Sequence, residues 1–252
     1  MSEQSVPPST RDDWRRWSHV AFVSCAVVVL TLLALEGVWT AGPTGSFLAV
    51  VTGVLVLELV VVRRVIGTAS REAGPQRLTM ATWLTIFRAA TLATLAGFLV
   101  VDQPTGVFAW LPPTLYAVAA GLDAADGKLA RATDAVTELG ARLDTEMDGL
   151  TVLVGATLVV SYGLAPVFFL AVGFARYGFV LGIWIRKNRG EPVFDLPDSR
   201  IRQLLGASAM LVIWLALLPV PGRGSSWLLA TLVTIPFLLN FARDYLAVSG
   251  RL

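Results

Sequence analysis

Eight apolar runs dominate this chain, at about residues 19–38, 46–62, 82–101, 107–122, 149–164, 167–185, 204–220 and 226–242. A helix needs roughly 20 apolar residues, with a range of about 17–25, to cross a bilayer. Several of the runs are slightly short, and neighbouring amphipathic turns extend them. Hydrophobic residues make up 55% of the 252 and charged ones 15%, with a mean hydropathy of +0.69. A soluble domain carries about 25% charged residues, so this chain lacks the charge to cover a water-facing surface. The expected fold is all-α: a polytopic transmembrane helix bundle of about eight spans.

Lys and Arg set the orientation. With the N-terminus in the cytoplasm and the sides alternating, 17 of the 20 fall in inside segments, and the outside loops hold only Arg223. Cytoplasmic loops carry such an excess. The arrangement predicts an integral protein of the cell membrane. Residues 1–17 read as a polar tail leading into an interfacial helix. The first run follows the charges Arg11 to Arg16 and has no small-residue cleavage site, so it reads as a retained span. A single cysteine, Cys25, excludes an intrachain disulfide. Pro112 and Pro113 fall at the start of the fourth span, and Pro166 separates the fifth from the sixth. The tryptophans lie mostly near span ends, as interfacial residues do. His19 sits at the start of the first span. Glu58 reads as paired locally, one turn from Arg63, or as packed inside.

The segment from Gly121 to Gly149 joins the fourth and fifth spans on the cytoplasmic side. If both flanking helices run into it, Asp123 and Asp126 share a face one turn apart. Asp144 and Asp148, four apart, share a face of the second helix. Such a loop is ordinarily a solvated connection, with Asp134, Glu138 and Glu146 paired to Lys128 and Arg142. Four facing carboxylates are different, because like charges repel at low dielectric and a divalent cation relieves them. All-oxygen donors favour Mg²⁺, Mn²⁺ or Ca²⁺, and two helices can hold two ions for in-line phosphoryl displacement. Gly127 and Gly140 leave space beside the acids, Ala130 keeps the next turn low, and Arg131 offers a planar fork for phosphate.

Asp123, Asp126, Gly127, Ala130, Arg131, Gly140, Asp144 and Asp148 together reproduce the pattern D-x2-D-G-x2-A-R-x8-G-x3-D-x3-D, with every fixed position matched over 26 residues. It resembles the signature of the class I, membrane-integral CDP-alcohol phosphatidyltransferase family. The resemblance implies a six-helix catalytic core, here residues 79–252. A tail at 1–17 and two additional helices with a basic connection at 18–78 precede it. It implies that Asp123, Asp126, Asp144 and Asp148 ligate Mg²⁺ or Mn²⁺, as two ions, with Asp148 also the catalytic base. Asp123, Gly127, Ala130, Arg131 and Gly140 would line the CDP pocket. A weaker match, N-x2-T-x2-R, adds Thr85 and Arg88 to the CDP contacts, with Thr82 replacing the Asn.

The implied reaction is metal-dependent transfer of a phosphatidyl-type group from a CDP-linked lipid, ester or ether, to a small alcohol or polyol phosphate. It releases CMP, serves phospholipid biosynthesis and faces the cytoplasm. Arg176, inside the sixth span, and Arg186, Arg200 and Arg202, in the next basic connection, are the candidate acceptor contacts. They compete with ordinary positive-inside bias and lipid-headgroup contact. The alternatives are a CDP-amino-alcohol phosphotransferase acting on diacylglycerol and, in another class, a divalent-cation transporter. Expected partners are the lipid donor, the acceptor, the bilayer and a second copy in a homodimer; no nucleic acid is expected.

Overall fold

The computed structural model describes residues 8–39, 42–74, 78–132, 137–196, 199–220 and 222–251; the side chains of 8–11, 73 and 123–132 lie outside that description. It is 84% helix. The helices are α1 (Pro8–Val38), α2 (Gly45–Ala73), α3 (Met80–Ala96), α4 (Leu111–Ala132), α5 (Glu138–Ser161), α6 (Leu170–Asn188), α7 (Arg200–Leu217) and α8 (Arg223–Val248). No strand occurs among the described residues. α1 is one continuous helix from Pro8, so the expected interfacial helix and first span are a single element.

Among the described residues six helices are long and apolar enough to cross a membrane: α1, α2, α3, α6, α7 and α8. The expectation of about eight spans therefore holds for helices, and for spans it narrows to these six by length and composition. The reason is visible in α5, whose first half holds Glu138, Arg142, Asp144, Glu146 and Asp148. In α4 the apolar sequence gives way to Asp123 and Asp126.

Two compact units are present. The first comprises residues 1–102 and 114–148. There α1, α2 and α3 pack on one another. Val20 of α1, Val62, Val65, Ile66 and Ala69 of α2, Ile86 of α3 and Leu139 and Leu143 of α5 form one buried cluster. The two N-terminal helices thus share a core with the helices that carry Arg88 and Asp144. Local chemistry sets the boundaries. Thr44 caps α2 by accepting from Phe47 N. Thr79 and Thr82 form a reciprocal capping box at the start of α3, which satisfies donors left over in the first turn. Within α3, Thr85, Thr91 and Thr94 donate to the carbonyls four residues back, which lets hydroxyls be buried in an apolar helix.

Glu58 is buried, and its carboxylate oxygens have no hydrogen-bond partner among the described residues. Arg63 instead lies over the Trp14 ring at 3.9 Å, so of the two readings of Glu58 the packed one stands. Trp39 departs from the belt expectation: it is buried, stacked on Phe98 at 5.3 Å and in edge contact with Phe47.

The second unit comprises residues 103–113 and 149–252, in which α8 packs on α6 and α7. α5 ends in a turn at Gly163, whose φ of +66° suits glycine. The Trp227 indole donates to the Gly163 carbonyl at 3.0 Å. Ser199 caps α7 through Arg202 N.

Gly97 closes α3 directly beneath Phe47, and a Cβ there would sit 2.6 Å from the ring. Trp39 and Phe98 hold that ring on its other sides, so it has no room to yield. Gly97→Ala should destabilise the protein by about 1–3 kcal/mol through overpacking, read as a lower melting temperature in detergent. Adding Phe47→Leu should recover part of the loss. An unchanged melting temperature in the single variant would show that the ring is not confined.

Candidate active site

Arg88 on α3 points into the first unit, where its side chain is 1% exposed. A guanidinium cannot be deprotonated to suit its surroundings, so burial demands anionic and carbonyl partners. α5 supplies them. Arg88 Nη1 donates to Asp144 Oδ1 at 3.1 Å, and Nη2 donates to Asp148 Oδ1 at 2.8 Å and to the Asp144 carbonyl at 3.2 Å. The spacing of four puts both carboxylates on one face of α5, and the planar fork reaches both at once. Each aspartate side chain remains about two-fifths exposed, at 38% and 42%. The cation is therefore buried behind two acids that still open outward.

Gly140 lies one turn before Asp144. Its N–H donates to Thr137 Oγ1 at 3.1 Å, and a Cβ there would lie 3.0 Å from Thr137 Oγ1 and 3.5 Å from Thr82 Oγ1. Thr82, fully buried, stands where the weaker motif has an Asn; its hydroxyl serves the capping box. Thr85 is buried one turn before Arg88 and donates to Ala81 O. On the exposed side of α5, Arg142 pairs with Glu138, as the spacing predicts, and also with Glu72 at the end of α2. The Glu72 contact, 70 residues away, has no local sequence signal.

Asp123, Asp126, Gly127, Ala130 and Arg131 fall on α4, but their side chains lie outside the described residues, as do Lys128 and Asp134. No cluster of three or more His, Cys, Asp or Glu side chains occurs among the described residues. Asp144 and Asp148 are the part of the expected set that is described. Their donors are all oxygen, the chemistry that suits Mg²⁺ or Mn²⁺.

The expected acceptor residues belong to the second unit and differ in character. Arg176 is half-buried on α6 and lies against Gly149, where a Cβ would meet its Cδ at 2.4 Å. No spacing in the sequence singles out Gly149; only the packing of α6 shows what its missing side chain makes room for. Arg186 is 8% exposed, pairs with Glu191 at 2.8 Å and donates to the carbonyls of Pro192 and Ser249. It ties the end of α6 to the end of α8. Arg200 is exposed in the first turn of α7. Arg202 lies 3.7 Å from Asp244, which also accepts from Asn240.

The model of the CDP-alcohol phosphatidyltransferase family matches residues 78–239, more than half of the 252. The chain belongs to that family of membrane phosphotransferases, whose enzymes move a phosphatidyl group from a CDP-alcohol and are generally dependent on divalent metal. No curated protein and no solved structure matches the chain. The match starts in the connection before α3, so α1 and α2 precede it.

Arg88→Lys keeps the charge but replaces the fork with a single ammonium that cannot span Asp144 and Asp148 together. The expected result is a lower melting temperature in detergent, corresponding to about 1.5–3 kcal/mol for a lost charged hydrogen bond. A melting temperature equal to the parent's would mean that the bridge does not hold α3 to α5.

Proposed function

We propose that this protein catalyses metal-dependent transfer of a phosphatidyl-type group from a CDP-linked lipid to a small alcohol or polyol phosphate, releasing CMP. The observation that carries the reading is the pair Asp144 and Asp148, one turn apart on α5 and held by the buried Arg88. They occupy the last two acidic positions of the signature D-x2-D-G-x2-A-R-x8-G-x3-D-x3-D.

Asp123 and Asp126 on α4, with Asp144 and Asp148 on α5, would hold Mg²⁺ or Mn²⁺, two ions if all four acids serve. Bound there, the metal would offset the negative charge of the donor's diphosphate. Gly127, Ala130, Arg131 and Gly140 would line the CDP moiety, with Asp123 beside it; Thr85 and Arg88, also expected there, are 3% and 1% exposed and engage Ala81, Asp144 and Asp148 instead, so they would act from behind the pocket wall. Arg88 acts through Asp144 and Asp148: its fork fixes both carboxylates before substrate arrives, the preorganisation that makes charged groups effective. Asp148 takes the proton of the acceptor hydroxyl on a carboxylate oxygen. The hydroxyl oxygen attacks the lipid-bearing β-phosphorus, a new P–O bond forms, the bond to the α-phosphate oxygen breaks, and CMP leaves with that electron pair. The basic residues at one end of the spans support a cytoplasmic active site in the cell membrane.

The assay offers purified protein CDP-diacylglycerol with glycerol phosphate, inositol phosphate, glycerol and inositol, and reads CMP and the lipid product. CMP should appear only with a divalent metal and an acceptor, and EDTA should stop it. Asp148→Asn should melt as a folded protein yet lose at least about 10²-fold in CMP release, the lower range of base catalysis. Normal turnover by this variant would remove Asp148 from its role. Metal-independent release would remove the whole mechanism.

Arg176, whose stem lies against Gly149, is the acceptor contact we propose first. Arg176→Gln should raise KM for phosphorylated acceptors by about tenfold or more, the worth of one charged contact, with little change for unphosphorylated ones. Gly149→Ala should shift KM the same way by displacing a flexible stem, without lowering the melting temperature. Equal effects on both acceptor types would exclude recognition of an acceptor phosphate.

A further inference from the structure

The arginines of the connection at 63–78 are not absorbed by the reaction. Three of them line a cavity of about 750 Å³ between α1 and α2, at the charged end of both spans and ahead of the family-matched residues. Arg63, Arg64 and Arg71 face it from α2; Trp14 and Trp17 face it from α1.

The cavity has built walls. The Trp17 indole donates to the Leu59 carbonyl at 2.9 Å, fixing that ring. Trp14 stands edge-on to it at 5.2 Å, and the Arg63 guanidinium lies over Trp14 at 3.9 Å. Stacking by cation–π attraction leaves the in-plane N–H donors of a guanidinium pointing outward. Arg71 folds back to donate from Nε to the Gly67 carbonyl at 2.9 Å. Asp13 is the one acid among the described lining residues, and it is engaged by Ser70 at 2.7 Å and by Arg16 at 3.5 Å. Among the described residues no ion pair involves Arg63, Arg64 or Arg71. Three cations therefore converge on a cavity in which the described carboxylate, Asp13, is already offset. Next to them Val60 and Trp14 expose apolar surface, at 43% and 52%.

We propose that this cavity is a binding site for a phosphate-bearing anion, the source being an anionic phospholipid of the bilayer. The phosphate sits among Arg63, Arg64 and Arg71, and the hydrocarbon runs along Val60 and Trp14. Guanidinium forks match phosphate oxygens, and cations at a membrane surface attract anionic headgroups. The apolar strip beside them favours an amphiphile over a free ion. The site belongs to the helices that precede the family-matched residues and shares no residue with the proposed donor and acceptor contacts.

The test uses the full-length protein, delipidated in neutral detergent with EDTA, and reads retained lipid by native mass spectrometry. Phosphatidylglycerol, phosphatidylcholine and inorganic phosphate are the probes. The parent should retain phosphatidylglycerol in preference to phosphatidylcholine. Arg63→Gln with Arg64→Gln should lower its occupancy by about tenfold. Arg15→Gln with Arg251→Gln, which removes the same charge outside the cavity, should not. Arg63→Lys with Arg64→Lys, which preserves the charge, should give an intermediate loss and guards against misfolding of the Gln pair. Displacement of the lipid by inorganic phosphate, absent in the Gln pair, would assign recognition to the phosphate group alone. No preference for phosphatidylglycerol, no loss in the Gln pair, or equal loss in both charge-matched pairs would overturn the site.

Discussion

The fork of Arg88 across Asp144 and Asp148 is the contact on which the first unit turns. A guanidinium 1% exposed to solvent is costly unless several oxygens face it. α3 must therefore meet α5 in the one register that brings residues 144 and 148 to residue 88. The same register aligns the two carboxylates side by side with part of each still exposed. One interaction thus satisfies the interior and presents the acids outward.

The two N-terminal helices are more than an attachment. α1 and α2 pack on α3, the helix that bears Arg88, through the cluster that joins Val20, Val62 and Ile66 to Ile86, Leu139 and Leu143. The Arg142–Glu72 pair ties the end of α2 to the helix bearing the acids. At the far end of α3, Gly97 lets Phe47 close over the helix. The residues ahead of the family-matched region therefore pack on the helices that carry Arg88, Asp144 and Asp148.

Much of this was legible beforehand. Apolar runs placed eight helices, because a bilayer or a dry core admits few alternatives to a long apolar helix. The spacing of four placed Asp144 and Asp148 on one face, because helical periodicity is local. The pairing of Glu138 with Arg142 followed from the same rule. What failed to be legible was long-range or contextual. Trp39 looked like an interfacial residue and is a core residue, since an aromatic near a span end suits either place. Glu58 has Arg63 nearby in sequence, but Trp14 takes that arginine.

The pair Asp144 and Asp148 marks the division. By itself the sequence determined that they share a helix face, that their donors suit a hard divalent cation, and that they close a signature specific to one family. It did so because spacing within a helix is a local property of the chain. Only the tertiary structure decided that Arg88 stands behind both of them, that Arg176 rests in the space left by Gly149, and that Arg186 serves the end of α8. Those contacts join residues 27 to 63 positions apart, and their partners are chosen by packing, which no spacing along the chain encodes.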